Sequence, residues 1–200
     1  MSSPWEVALG THLADLDPAL RTYFSAIPSG KVGRGSGVFS RVGTPRRWLW
    51  PMLAVLGRAH IVFPVWAKDV PFEVVNTPGD GAIHAARTFH FVRGDRVMRD
   101  RVMYDEIRMT ARGLVDRLGT RGRLEAPLEA QVVEGRLELR SRRAYLRLGA
   151  ARIPIPFAPR VLLVESRVGD RQHVALTMDA PLIGRIYEYS GSFSYGIEDQ

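Results

Sequence analysis

The pattern of apolar and polar positions changes once along the chain, near residue 70. Before that point the spacing is helical. Leu9, Leu13 and Leu16 fall on one helix face, and Asp17-Pro18 supplies an N-cap and a first-turn proline for a second helix. That second helix, over 18–26, turns Leu20, Tyr23 and Phe24 toward a core. Residues 5–26 thus predict two short helices, closed by Pro28-Ser29-Gly30. Thr44-Pro45 opens a third that stops near Gly57, with Pro51 either kinking or restarting it.

After residue 70 the period becomes two. Residues 70–75 read as a short extended segment. Ile83, Ala85, Arg87, Phe89 and Phe91 then alternate with His84, Ala86, Thr88, His90 and Val92, as in a strand. Arg93-Gly94-Asp95 is a turn signal, followed by a returning strand over 97–107. Further strands are predicted over 113–119, 123–134, 136–148, 160–168, 171–179 and 185–195, with turns at Glu134-Gly135 and Gly169-Asp170. Ile153-Pro154-Ile155-Pro156 is excluded from the middle of a sheet, because proline has no N–H to give to a ladder.

Strands that follow one another with turns and no helices between them predict an antiparallel meander. The expected class is α+β, mainly β: a strongly curved sheet or barrel with the N-terminal helices packed against it. No linker or repeat interrupts the pattern, so residues 1–200 read as one domain, helical over about 5–58 and β over about 70–195.

Composition narrows the chemistry. Two hundred residues, 46% hydrophobic and 24% charged, suffice for a core without crosslinks. The absence of cysteine removes disulfides, thiolate nucleophiles and Cys-bearing zinc sites, and suits a cytoplasmic location. The first ten residues contain Glu6 and no basic stretch before an apolar run, unlike a secretory signal. Residues 48–66 are apolar, aromatic at both ends and preceded by Arg46-Arg47, which imitates a membrane span. Pro51, Gly57, Arg58, His60 and Pro64 break that run far short of the roughly twenty residues a span needs. A peripheral membrane contact is the most it predicts.

The net charge of +7 makes this a basic protein, and all its basic residues but Lys31 and Lys68 are arginines. They are scattered and alternate with acids, as in Arg99-Asp100-Arg101, so a nucleic-acid partner is not expected.

Few motifs carry chemistry. Gly33-Arg34-Gly35-Ser36-Gly37 lacks the third glycine of a dinucleotide fingerprint, since Val38 stands there, and no Gly-Lys-Ser/Thr follows. Val38 to Val42 alternate, so the run predicts a bent or bulged strand crossed closely by another segment, and no cofactor. Of the five histidines only His84 and His90 are near neighbours, and six strand residues hold them roughly 20 Å apart, too far to share a metal. Tyr189-Ser190-Gly191-Ser192 lies in a strand and is no nucleophile elbow.

Two sets of side chains are more suggestive. Arg87 shares a face with Phe89 and Phe91, where it either holds a carboxylate or phosphate or sits in a buried ion pair, for instance with Glu165. Tyr187, Tyr189, Phe193 and Tyr195 share a face with Gly191 as a gap, and serve as cavity wall, core or dimer surface.

Taken in order, Leu16-x-Pro18-x-Leu20-Arg21, the glycine run, Arg87-Thr88-Phe89, Ile153-Pro154-Ile155-Pro156, Glu165 and Pro181-Leu182-x-Gly184 leading to Tyr189-x-Gly191-x-Phe193 resemble a bacterial domain family of unknown function. Ala85-Ala86 stands where that family usually has an acidic residue or tryptophan. The resemblance implies a domain that occurs alone or fused to saccharopine dehydrogenase-like oxidoreductases, in an accessory or ligand-holding role.

The leading expectation is a binding module for a small apolar or amphipathic ligand such as a fatty acid or isoprenoid. Arg87 and Glu165 would meet its polar end, and Phe89, Phe91, Tyr187 and Tyr189 its body. The alternatives are a regulatory domain that docks on an oxidoreductase through the 48–56 helix, and an enzyme whose site assembles Arg87, His90, Asp100 or Glu165 in space.

Overall fold

A proline opens each of the three helices, where its missing N–H costs nothing. In the computed structural model these are α1 (Pro4–Leu9), α2 (Pro18–Phe24) and α3 (Trp50–Arg58). Residues 2–93 and 96–200 are described, 92–93 and 96–99 by their backbone alone. Ser3 and Glu6 close a reciprocal capping box on α1, and Asp17 accepts from the Ala19 N–H at the start of α2. Pro51 restarts the third helix instead of kinking it: a 3-10 turn, Arg47–Leu49, precedes it and α3 begins at Trp50.

All the strands belong to one sheet, and every pairing in it is antiparallel. They are β1 (Lys31–Gly43), β2 (Trp66–Ala67), β3 (Val70–Gly79), β4 (Ala82–Arg93), β5 (Arg96–Thr110), β6 (Gly113–Leu118) and β7 (Leu124–Pro127). The second half holds β8 (Glu129–Val133), β9 (Arg136–Ser141), β10 (Tyr145–Leu148), β11 (Ala151–Pro154), β12 (Arg160–Val168), β13 (Arg171–Ala180) and β14 (Gly184–Asp199). The order across the sheet is β11-β10-β7-β6-β5-β4-β3-β1-β14-β13-β12-β9-β8, with β2 paired to β1.

The fold is therefore α+β and mainly β, as the periodicity predicts. The sheet is curled and does not close into a barrel. Its two wings meet in the chain itself: β7 pairs with β6, β8 pairs with β9, and only Leu128 separates them. The Leu128 N–H turns out of that run to the Leu114 carbonyl, 2.9 Å away. The single strand predicted over 123–134 is thus two, and the one over 136–148 also breaks. β9 joins β12, while β10 leaves for β7 at the other end. The strand carrying Ile153-Pro154 is the outermost one, where proline removes no ladder bond. Of the turn expected at Arg93-Gly94-Asp95, Gly94 and Asp95 lie outside the described residues.

The glycine run lies in β1, as a bulged strand in the middle of the sheet. A bulge falls between Phe39 and Arg41 opposite β14. Phe39 pairs with Gly191, and a Cβ at Gly191 would stand 2.5 Å from the Phe39 Cα. That close crossing is what glycine permits.

Helix α1 lies against β5, β6 and β8, and α2 against β12, β13 and β14. The helices therefore cover the space the curled sheet encloses. Trp5, Leu20, Phe24, Phe39, Phe72, Phe89 and Phe193 fill most of it.

Candidate functional site

The remaining inner space is a cavity of about 120 Å³. Strands β4, β5, β6, β12 and β14 and helix α2 aim polar groups at it. On β4, Arg87 points inward with Ala85 and Phe89. On β5, Asp105 pairs in register with Ala85, and Ile107 with Asp116 of β6, so both acids share the inner face. Glu165 enters from β12, Tyr187 and Tyr189 from β14, and Tyr23 from α2. The rest of the wall is mostly apolar, including Ile107, Leu118, Leu139, Leu163, Leu176 and Met178.

The polar groups are tightly connected at two points. Arg87 forms an ion pair with Asp105 through Nη1 and Oδ1. Glu165 accepts a hydrogen bond from Gln172 Nε2, which β13 delivers on the same face. Asp116 differs from both: its Oδ1 is buried and has no hydrogen-bond partner among the described residues. An unpaired buried carboxylate oxygen is costly, so this atom is an open valence of the site, as is the Tyr187 hydroxyl, which is buried without a partner among the described residues.

Burial sets the protonation states. It pushes the Asp116 carboxyl up to about 7, opposed by the Arg87 charge and reinforced by Glu106. It pushes Glu165 up to about 7 as well, against the Gln172 hydrogen bond and Arg87. The Tyr23 and Tyr189 hydroxyls are raised by the same desolvation, although the Arg87 charge lowers both. Burial works against the Arg87 guanidinium too, but Tyr23, Tyr189 and Asp116 hold its pKa above the ordinary arginine value. The cavity thus contains one fixed cation, its Asp105 partner and two carboxyls that titrate near neutrality. Such a set can donate and accept hydrogen bonds, and can move a proton.

Of the residues singled out from the sequence, the structure brings Arg87, Glu165, Tyr187 and Tyr189 to the cavity. Phe89 and Phe91 share the inner face but not the cavity. Phe89 has no exposed surface and packs between Phe39, Phe72 and Phe63, with ring centroids 5.1–5.9 Å away, while Phe91 meets Phe63 at 6.3 Å. The ion-pair partner of Arg87 is Asp105, a neighbour on the next strand, and not Glu165 across the cavity. His90 and Asp100 bond to each other at 2.8 Å on the opposite face, because one residue of strand register reverses a side chain. They therefore do not converge with Arg87 and Glu165.

Asp105, Asp116 and Gln172 are not singled out by the sequence, and Tyr23 is read there only as a core residue. Two of them left a signal: Met103-x-Asp105-x-Ile107 and Leu114-x-Asp116-x-Leu118 each set an acid in an apolar register. Outside the cavity, His173 bridges Ser192 at 3.0 Å and Ser190 at 3.2 Å on the outer face. No carboxylate orients that imidazole among the described residues, so a serine triad is not formed there. No group of three or more His, Asp or Glu among the described residues could hold a metal ion. No described helix is long and apolar enough to cross a membrane.

The family model described as Domain of unknown function (DUF4166) matches residues 16–193. The chain belongs to the DUF4166 family. No curated protein and no solved structure matches it. The matched span starts at Leu16 and ends at Phe193, so every strand that carries a cavity acid, and Tyr23, lies within the DUF4166 region, while Trp5 of α1 precedes it.

Proposed function

We propose that this DUF4166 chain is a small-molecule binding domain whose ligand has a compact apolar body and one hydrogen-bond-donating group. The observation that carries the reading is the Asp116 Oδ1, unpartnered among the described residues, in a cavity whose wall is otherwise mostly apolar beside the Arg87–Asp105 pair, Glu165 and the tyrosines. A hydroxyl or amine placed there supplies the missing bond, and the walls take the body. Size narrows the class. A cavity of about 120 Å³ is near the roughly 150 Å³ that holds a benzene, and below the roughly 300 Å³ and more of drug-sized sites. A whole fatty acid or isoprenoid chain exceeds it. Charge narrows it again: a ligand carboxylate would face Asp105, Asp116 and Glu165, with Arg87 already committed to Asp105.

Melting temperatures with phenol, cyclohexanol, cyclohexylamine and benzoate at about 10 mM test this. Phenol, cyclohexanol or cyclohexylamine raises the melting temperature, benzoate does not at about pH 8, and Asp116→Asn weakens the response. No response to any of the four contradicts the reading.

One observation favours a second reading. Asp116 and Glu165, both near 7 and both under the influence of Arg87, have the properties of an acid–base pair acting on a bound molecule. A pH–rate profile with two limbs near neutrality, one of them lost in Glu165→Gln, is its test. The family resemblance supplies a setting for either reading, a bacterial protein that acts beside an oxidoreductase of the saccharopine dehydrogenase type, and the absence of cysteine suits a cytoplasmic location.

A further inference from the structure

Helix α3 has one face in the core and one in solvent. Leu53 is buried, whereas Met52 and Val55, together with Trp48 of the preceding turn, form an exposed apolar stripe, with 47%, 60% and 62% of their surfaces accessible. Trp66 of β2 and Leu182 of the β13–β14 turn are further exposed apolar side chains. In that turn Leu182 is fully exposed, and the neighbouring Ile183 carbonyl accepts from Arg46 Nη1 at 2.9 Å, which ties the turn to the start of the helical segment. Arg46, Arg47, Arg58 and Lys68 are exposed around these residues, and among the described residues none of the four forms an ion pair with a carboxylate. Arg41 stacks over Trp66 at 5.5 Å, and Arg47 over Trp50 at 5.8 Å.

We infer that this face is a docking surface for an anionic lipid membrane. Two features select that occupant. The apolar groups project separately from a helix, a two-residue strand and a turn tip, which suits a fluid surface that deforms around each of them. The cations that flank them form no ion pair with a carboxylate among the described residues and complement lipid phosphates, while indoles favour the level of the headgroups. The surface also adjoins the cavity. α3 runs on into Ile61 and Val62, which line the cavity wall, and the backbone between is fixed by the Tyr104 N–H to the His60 carbonyl at 3.0 Å and the Thr120 N–H to the Ala59 carbonyl at 3.2 Å. Docking would hold that wall against the bilayer. The inference does not depend on what the cavity binds.

Co-sedimentation with vesicles of phosphatidylcholine alone, and with about one-third phosphatidylglycerol, is the test. Binding to the anionic vesicles is expected to be at least about tenfold tighter and to weaken as salt rises. Trp48→Ser/Val55→Ser is expected to abolish it. Arg47→Gln/Arg58→Gln is expected to remove the preference for anionic lipid. All four positions are exposed, so unfolding midpoints should not move; if a variant misfolds, quenching of the parent's indole fluorescence by brominated lipid gives the same answer. Failure to bind either vesicle, or binding that survives Trp48→Ser/Val55→Ser, overturns the inference. So does a dimer, or a complex with an oxidoreductase, that depends on Trp48 while vesicles bind nothing.

Discussion

Arg87 and Asp105 form an ion pair on the inner face of the sheet from diagonal positions, since Asp105 lies opposite Ala85 and Arg87 opposite Met103. Asp105 is almost wholly shut off from solvent, and Arg87 is mostly buried and lines the cavity. A pair so placed is strongly coupled, because either charge alone would be stranded. Arg87→Met is expected to cost about 3–5 kcal/mol in urea unfolding, and Arg87→Met/Asp105→Leu to recover most of that loss. A single variant as stable as the parent would show that the pair is solvated.

The two raised carboxyls set a pH dependence with a definite sign. Asp116 and Glu165 titrate near 4 in an unfolded chain and near 7 in this fold. Their folded pKa values are raised, so the stability they contribute is fully present below about pH 4. It is lost as the pH rises to about 7 and stays lost above. Each group adds a slope of at most about 1.4 kcal/mol per pH unit in that window. Unfolding midpoints between about pH 4 and pH 8 should therefore fall, and Asp116→Asn and Glu165→Gln should each flatten the profile. A flat profile for the parent contradicts the burial of these groups.

The crossing of β1 and β14 yields a paired prediction. Gly191→Ala drives a methyl into the Phe39 backbone and is expected to cost about 1–3 kcal/mol. Gly196→Ala, on the same strand with open space at its Cβ, is expected to stay within about 0.5 kcal/mol of the parent. Thermal unfolding of the two variants compares them directly.

These residues show how far the sequence could be read. Alternation from residue 82 onward predicted a curved antiparallel sheet, because each strand buries one face. It predicted the inward set Arg87, Phe89, Tyr187 and Tyr189 for the same reason. It did not predict which inward residues face a void. Phe89 and Tyr189 have the same pattern, but packing against Phe63 and Phe72 fills the space around one and not the other. Strand partners were also hidden. The break at Leu128, which sends β7 and β8 to opposite wings, follows from a single backbone bond to Leu114. For an ion pair of Arg87 the sequence offers Glu165 only as an example, because the register that sets Asp105 beside it is not legible there.

Phe89 and Tyr189 also separate core from site. Phe89→Leu is expected to lower stability by about 1 kcal/mol while phenol affinity stays unchanged, since its ring lies outside the cavity lining. A parallel loss of stability and affinity would place Phe89 in the site.

The space between Arg87, Asp116, Glu165 and Leu176 is proposed to be a ligand cavity. Calorimetric titration of phenol into the parent and into Leu176→Trp tests it most directly, because the indole would occupy the space from the β13 side. The account predicts one saturable site in the parent and none in a Leu176→Trp protein that stays folded. Equal binding by both proteins, or binding by neither, would contradict it.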